Sequence, residues 1–293
     1  MDPQRIDPTN APSPEPSTPA GRAAQAISRR AFLRLLGVGA AGVAFAGGMV
    51  GAYRFEVEPI TRVLPGLQRP LRMAWLTDLH YGPFIRSGSI AAWVDAALAL
   101  EPELIVLGGD IVDSRVDDDL APLLAQLERL RAPLGVYAIW GNHEHDRFDD
   151  LRPFERSLSA AGVTVLADRA VPLRDDLYLA GIDDGPSSWT RMNSVLEGRP
   201  PERGCLLAVH SPAALPHVPP TVGLSLCGHT HGGQVVLPGI GPVLTRSGLG
   251  RGFDAGWIRA PGLAYVSRGL GVSHLPIRIN CPAELTIATL TAA

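Results

Sequence analysis

Five short apolar runs in this chain each lead into a loop that delivers Asp, Asn or His, and this recurrence narrows the choice of fold most sharply. Leu71 to Leu76 leads into Thr77-Asp78-Leu79-His80, and Leu104 to Leu107 into Gly108-Gly109-Asp110. Val136 to Ile139 leads into Gly141-Asn142-His143-Glu144, Leu206 to Val209 into His210, and Leu224 to Leu226 into Gly228-His229-Thr230-His231. Apolar runs this short, bounded by polar loops, read as buried strands. Between the first two, Ile90, Trp93, Val94, Ala97 and Leu98 recur at helical spacing, with Ser89 as the expected N-cap. Leu120, Leu123, Leu124, Leu127 and Leu130 line a second helical face. Repeated β-α-β units predict an α/β fold. Further strands are expected at 163–166, 177–180, 263–267 and 285–290, and mostly strands beyond Gly232, where turn residues are dense and helical periodicity is absent. Ligands of open α/β sheets bind beyond the carboxyl ends of the strands, so the polar residues should converge on one site.

The residue types at those ends suit metal chemistry. Divalent transition ions take imidazole nitrogen and carboxylate oxygen, and two ions a few Å apart take one carboxylate between them. Of the eight histidines, His80, His143, His210, His229 and His231 follow strand-like runs, whereas His145, His217 and His274 do not stand out. Scattered surface histidines would not sort in this way. Singly, Asp78-x-His80 or Gly109-Asp110-x-x-Asp113 is an ordinary loop pattern; in this order, each behind its own strand, they are not.

From Leu71 to the C-terminus these segments resemble the signature blocks of the calcineurin-like metallophosphoesterases. Thr77-Asp78-Leu79-His80-Tyr81-Gly82, Cys227-Gly228-His229-Thr230-His231-Gly232-Gly233-Gln234 and Tyr265-Val266-Ser267-Arg268-Gly269-Leu270-Gly271 are similar to the exported bacterial branch with a twin-arginine signal. The resemblance implies a four-layer α-β-β-α sandwich of two mixed sheets, with a two-metal site at the carboxyl ends of the strands. It implies that Asp78, His80 and His231 hold one divalent ion (zinc, manganese or iron), that Asn142, His210 and His229 hold a second, and that Asp110 bridges them. His143 then stands over the scissile phosphate, either stabilising charge or protonating the leaving oxygen, with Asp113 orienting it. The phosphoprotein-phosphatase branch has Arg directly after the second Asp of G-D-x-x-D; this chain has Ser114 and only then Arg115, which argues against a protein phosphatase. Tyr81, Phe84, His145, Asp183 and Asp184 adjoin the motif loops as candidate pocket residues.

The N-terminus carries a separate message. Residues 1–27 are rich in Pro and small polar residues and are expected to be disordered. Residues 28–50 begin Ser28-Arg29-Arg30-Ala31-Phe32-Leu33-Arg34 and continue as a Gly/Ala-rich apolar run, which resembles a twin-arginine signal. Ala44-Phe45-Ala46 offers a cleavage site; the alternatives are retention as an anchor, giving membrane or cell-envelope association, and a buried helix. The folded domain, 55–293, is then expected in the periplasm or cell envelope, with the twin-arginine export machinery as a partner. A net charge of −3 and the absence of a basic cluster in the mature chain give no case for a nucleic-acid partner, so a nuclease is not expected. Cys205, Cys227 and Cys281 form no metal-binding spacing; they read as small buried residues in preference to a disulfide. The expected substrate is a phosphate ester, monoester or diester. The alternatives are a nucleotide-sugar or lipid-linked pyrophosphatase, and a non-catalytic metal-binding scaffold, which would lack ligands where this chain has all of them.

Overall fold

The computed structural model describes residue 42 and residues 45–292, apart from 118, 186, 187 and 261. The disordered N-terminus and most of the twin-arginine segment expected from sequence lie outside the described residues. A helical stretch at 45–51 leads into β1, Phe55–Val63, and then β2, Leu71–Leu76. Next come α1 (Ser87–Ala99), β3 (Leu104–Leu107), α2 (Ala121–Leu127), β4 (Val136–Ala138), α3 (Asn142–Arg147), α4 (Arg152–Ala160) and β5 (Val163–Val165). The second half holds β6 (Arg169–Arg174), β7 (Leu177–Ile182), α5 (Met192–Val195), β8 (Gly204–Val209), β9 (Leu224–Cys227), β10 (Val236–Leu237), β11 (Gly241–Pro242), β12 (Gly256–Ala260), β13 (Gly262–Val266) and β14 (Ala283–Thr291).

Two six-stranded sheets, ordered β1-β14-β2-β3-β4-β5 and β12-β13-β9-β8-β7-β6, form the frame. Both are mixed: β2 to β5 and β7 to β9 run parallel, while β14 against β2 and β6 against β7 are antiparallel. Because side chains alternate faces along a strand, each sheet buries both sides. Met73 and Trp75 of β2, Val106 of β3, Leu179 of β7, Leu206 of β8 and Leu226 of β9 pack between the sheets. Ala74, Leu76, Ile105 and Leu107 turn the other way onto Ile90, Trp93, Val94 and Ala97 of α1, with Leu123, Leu127 and Phe154 beside them. Leu207, Val209 and Val266 face Met192, Ala214 and Leu215 on the far side of the second sheet. This is the four-layer α-β-β-α sandwich expected from sequence.

One local expectation fails. Helix α1 starts at Ser87, not after Ser89, and its N-cap is Arg86 in extended conformation, with no side-chain cap. The Ser89 N–H already bonds to the Arg86 carbonyl at 3.0 Å, which puts Ser89 inside the first turn. The three cysteines are buried and free, as small apolar residues. Among the described residues no helix is long and apolar enough to cross a membrane.

Candidate metal centre

The loops after β2, β3, β4, β8 and β9 bring the candidate residues to one end of the sandwich. Backbone bonds tie the first two loops together: Asp78 N–H reaches the Gly109 carbonyl at 3.0 Å and His80 N–H the Asp110 carbonyl at 2.9 Å. Asp78, His80, Asp110, His229 and His231 all have positive φ, between 48° and 71°. Non-glycine residues in this region cost of order 1–3 kcal/mol each, and such strain concentrates at functional sites.

Two sets of side chains meet there: Asp78, His80 and His231, and Asp110, His210 and His229. In the first, the Nε2 atoms of His80 and His231 stand 2.9 Å apart, and His231 Nε2 is 3.5 Å from Asp78 Oδ1. In the second, His210 Nε2 is 3.1 Å from Asp110 Oδ2, and the same oxygen lies 3.4 Å from His80 Nε2. Asp110 therefore faces both sets through one oxygen. Nitrogens bound at ~2.0–2.1 Å and near a right angle to one ion stand ~2.9 Å apart, so these spacings fit shared cations better than direct contact between lone pairs.

Orphaned atoms point the same way. Asn142 Oδ1, His210 Nε2 and His229 Nδ1 are buried without a hydrogen-bond partner. His210 Nδ1 donates to the Gly108 carbonyl at 2.7 Å, which leaves Nε2 as the nitrogen aimed at Asp110. Burial pushes His80 down to about 3 and His229 down to about 4, and holds His231 well below the ordinary imidazole range, so all three are neutral donors. Burial raises Asp78 to about 6, against the opposing pull of His210. At His210 the burial effect is outweighed by Asp110, which lifts the imidazole well above its usual value. Positive charge is favoured between them.

His143 is the second residue of helix α3, and its backbone N–H donates to Asp110 Oδ1 at 2.9 Å. Its Nδ1 accepts from the Ser114 N–H at 3.0 Å, and its ring meets His80 edge-on with centroids 4.4 Å apart. A neutral His143 thus carries its proton on Nε2. Asp113 does not orient His143 as expected. Its carboxylate is held by Arg115, through Nε at 2.8 Å and Nη2 at 3.0 Å, and the imidazole nitrogen it faces is His80 Nδ1 at 3.8 Å. His80, Asp113 and His143 do form a third close group, but Asp113 and His143 already have these partners.

The remaining candidates divide. Tyr81 is buried in the fold and bridges to Ile85 and Val112, while Phe84 lies under the Arg115 guanidinium. His145 pairs with Asp183 at 2.6 Å. Asp184 is raised to about 6 by burial and, with Asn142, His145 and His229, lines a cavity of about 800 Å³.

Two supporting residues escape a reading from sequence. Glu144 sits in a quoted motif, yet its carboxylate braces the site, taking N–H bonds from Asp110 at 3.0 Å, Val112 at 3.0 Å and Gly141 at 2.8 Å. Arg278 is buried and donates to the carbonyls of Arg268 at 2.8 Å and Gly271 at 2.7 Å, beside His231 Nδ1 at 3.4 Å. No local pattern marks it.

A four-layer sandwich whose strand ends gather this His, Asp and Asn set around one shared carboxylate defines a hydrolase with a two-metal centre. The chain belongs to the calcineurin-like phosphoesterase family, whose profile matches residues 71–237. It is a metal-dependent phosphoesterase. It is 31% identical over 292 residues to the metallophosphoesterase YkuE of Bacillus subtilis strain 168, covering 90% of this chain and 98% of that one. It is 28% identical over 230 residues to the phosphodiesterase YaeI of Escherichia coli K12, covering 75% and 82%. A bovine transmembrane protein with a metallophosphoesterase domain is 30% identical over 257 residues, 81% of this chain and 56% of that protein. Among solved structures, a dimetal phosphatase from Danio rerio aligns with a TM-score of 0.41 at 15% identity, covering 71% of this chain and 90% of that one.

Proposed function

We propose that this phosphoesterase hydrolyses phosphate monoesters or diesters outside the cytoplasm by in-line attack of water at a two-metal centre. Asp78, His80 and His231 would hold one ion and Asn142, His210 and His229 the other, with Asp110 available to both. The observation that carries this reading is the single Asp110 oxygen lying 3.4 Å from His80 Nε2 and 3.1 Å from His210 Nε2. Two bound ions supply an acidified water near neutral pH and charge to offset the phosphate oxygens.

The chain's own groups complete the reaction. His143, held by Ser114 at Nδ1 and edge-on to His80, is the group to stabilise developing charge or protonate the leaving oxygen through Nε2–H. Asp113 lies 3.8 Å from His80 Nδ1 and acts on that ring through its charge. Glu144 fixes the backbone of Asp110 and Gly141, which precedes Asn142 and His143. The mixed imidazole, amide and carboxylate donors suit zinc, manganese or iron.

Action outside the cytoplasm rests on Ser28-Arg29-Arg30-Ala31-Phe32-Leu33-Arg34 and the apolar run after it, which fit export through the twin-arginine machinery and a place in the periplasm or cell envelope. The test compares metal-loaded and chelator-stripped protein on one aryl phosphomonoester and one aryl phosphodiester, with elemental analysis of the same samples. Metal-dependent release of the aryl group is expected from at least one ester. Undiminished turnover after complete removal of metal would overturn the reading.

A further inference from the structure

We propose that the phosphate ester taken by this site carries a hydrocarbon chain, held in an apolar cavity beside His231; the inference rests on the phosphoesterase reading above. The cavity has a volume of about 350 Å³ and is walled by Val235, Val243, Leu244, Leu275 and Ile277. That volume lies within the range of ~300–1,000 Å³ usual for small-molecule sites. Thr230 and His231 belong to its lining, so the cavity and the metal centre share a wall.

Charge at the boundary says which end of a ligand goes where. Arg246 and His274 line the same cavity, with Nη2 and Nε2 3.3 Å apart. Burial and Arg246 hold His274 below the ordinary imidazole range, so the guanidinium supplies the positive charge on the lining that also carries Thr230 and His231. An ester with its phosphate beside His231 would run past Arg246 into a chiefly aliphatic space, where the Gln234 amide is already tied to the backbone at Leu275, Ile277 and Ser273.

The outer surface supports an amphiphile. Leu244 is 63% exposed, Leu275 60% and Val243 49%, and Ile240 nearby in sequence is 59% exposed. Contiguous exposed carbon marks ligand or membrane sites on soluble domains. Segment 277–279, which contributes Ile277 to the cavity wall, also packs against the helical stretch 45–51. A Cβ on Gly48 would lie 2.8 Å from Ile277 Cγ2, and Gly48 accepts the Arg278 N–H at 2.9 Å. Phe45 and Val50 of that stretch are themselves exposed, so the cavity lies among apolar surface from both ends of the chain.

The test uses the full chain loaded with manganese, with methyl and octyl para-nitrophenyl phosphate kept below micelle-forming concentration. Each buried methylene should raise kcat/KM about threefold to fourfold, so the octyl ester is expected to exceed the methyl ester by at least ~10²-fold. Binding of the unreactive chain should act mainly through KM. In Leu275→Asp and Val243→Asp, both at exposed positions that tolerate charge in folding, the octyl-to-methyl ratio should fall toward one. Equal rates for the two esters in the unaltered protein would overturn the inference and leave the phosphoesterase reading standing. A large ratio that survives both substitutions would overturn the placement of the chain in this cavity. Hydrolysis of neither ester by metal-loaded protein that does cleave para-nitrophenyl phosphate would overturn the inference alone, and failure on that monoester as well would overturn both readings.

Discussion

Residue by residue, the centre is a place where neutral imidazoles and a shared carboxylate are held in conformations that their backbones do not favour. The candidate residues were legible because their identities and their place behind strands both appear in the one-dimensional chain. Their left-handed φ values were not, since nothing local distinguishes Asp78 from any loop aspartate. Nor was the partner of Asp113: a G-D-x-x-D spacing does not say whether the second carboxylate turns to His143 or to Arg115. Two outcomes are expected at this scale. Asp110→Asn should remove measurable turnover and sharply lower metal content, because an amide is a poorer bridging donor than a carboxylate; two retained equivalents of metal with normal turnover would remove the shared-ligand assignment. His143→Ala should keep both ions and lower kcat by at least ~10²-fold. If His143 protonates the leaving oxygen, that loss should shrink for a nitrophenyl leaving group and grow for an alkyl one. Loss of metal from the same variant would make His143 a ligand.

At the level of elements, the site depends on how closely the strand-end loops approach one another. Largely apolar runs, broken only by Arg72 in β2 and Ser225 in β9, make β2, β3, β8 and β9 readable, because a strand buried on both faces needs no alternation. The edge strands β1 and β6 are not legible: exposed or half-exposed residues such as Glu56 and Glu58 on β1 and Arg169 on β6 break any continuous apolar signal. Ser89 misled because a capping residue type also occurs inside a first turn. One close approach lies at Gly109, with φ +87°, where an added Cβ would stand 2.7 Å from His210 Nδ1 and 2.8 Å from Gly141 N. Gly109→Ala should therefore cost roughly 2–5 kcal/mol from backbone strain and overpacking together, seen as a lower urea midpoint with unchanged slope, along with reduced metal binding. A midpoint within error of the unaltered protein would show that the two loops can part without penalty.

For the whole molecule, two sheets with parallel strands ending on the same side create a single polar end on an otherwise carbon-filled sandwich. The class of fold was legible because strand and helix periods alternate along the chain. The pairing of β1 with β14, from opposite ends of the folded part, was not, since long-range register leaves no local trace. Export belongs to this scale too. Replacing Arg29 and Arg30 together by Lys should leave the protein inside the cell, because the two cations are not equivalent where planar guanidinium groups are read; fractionation showing unchanged export would mean that the segment is no twin-arginine signal. The central claim, that one carboxylate joins two ions into a single hydrolytic centre, is met most directly by titrating metal-free protein with manganese while following nitrophenol release from an aryl phosphodiester. Activity should rise until two equivalents are bound and then level off, and the Asp110→Asn protein should show no such rise. Full turnover at one equivalent, or with none, would contradict it.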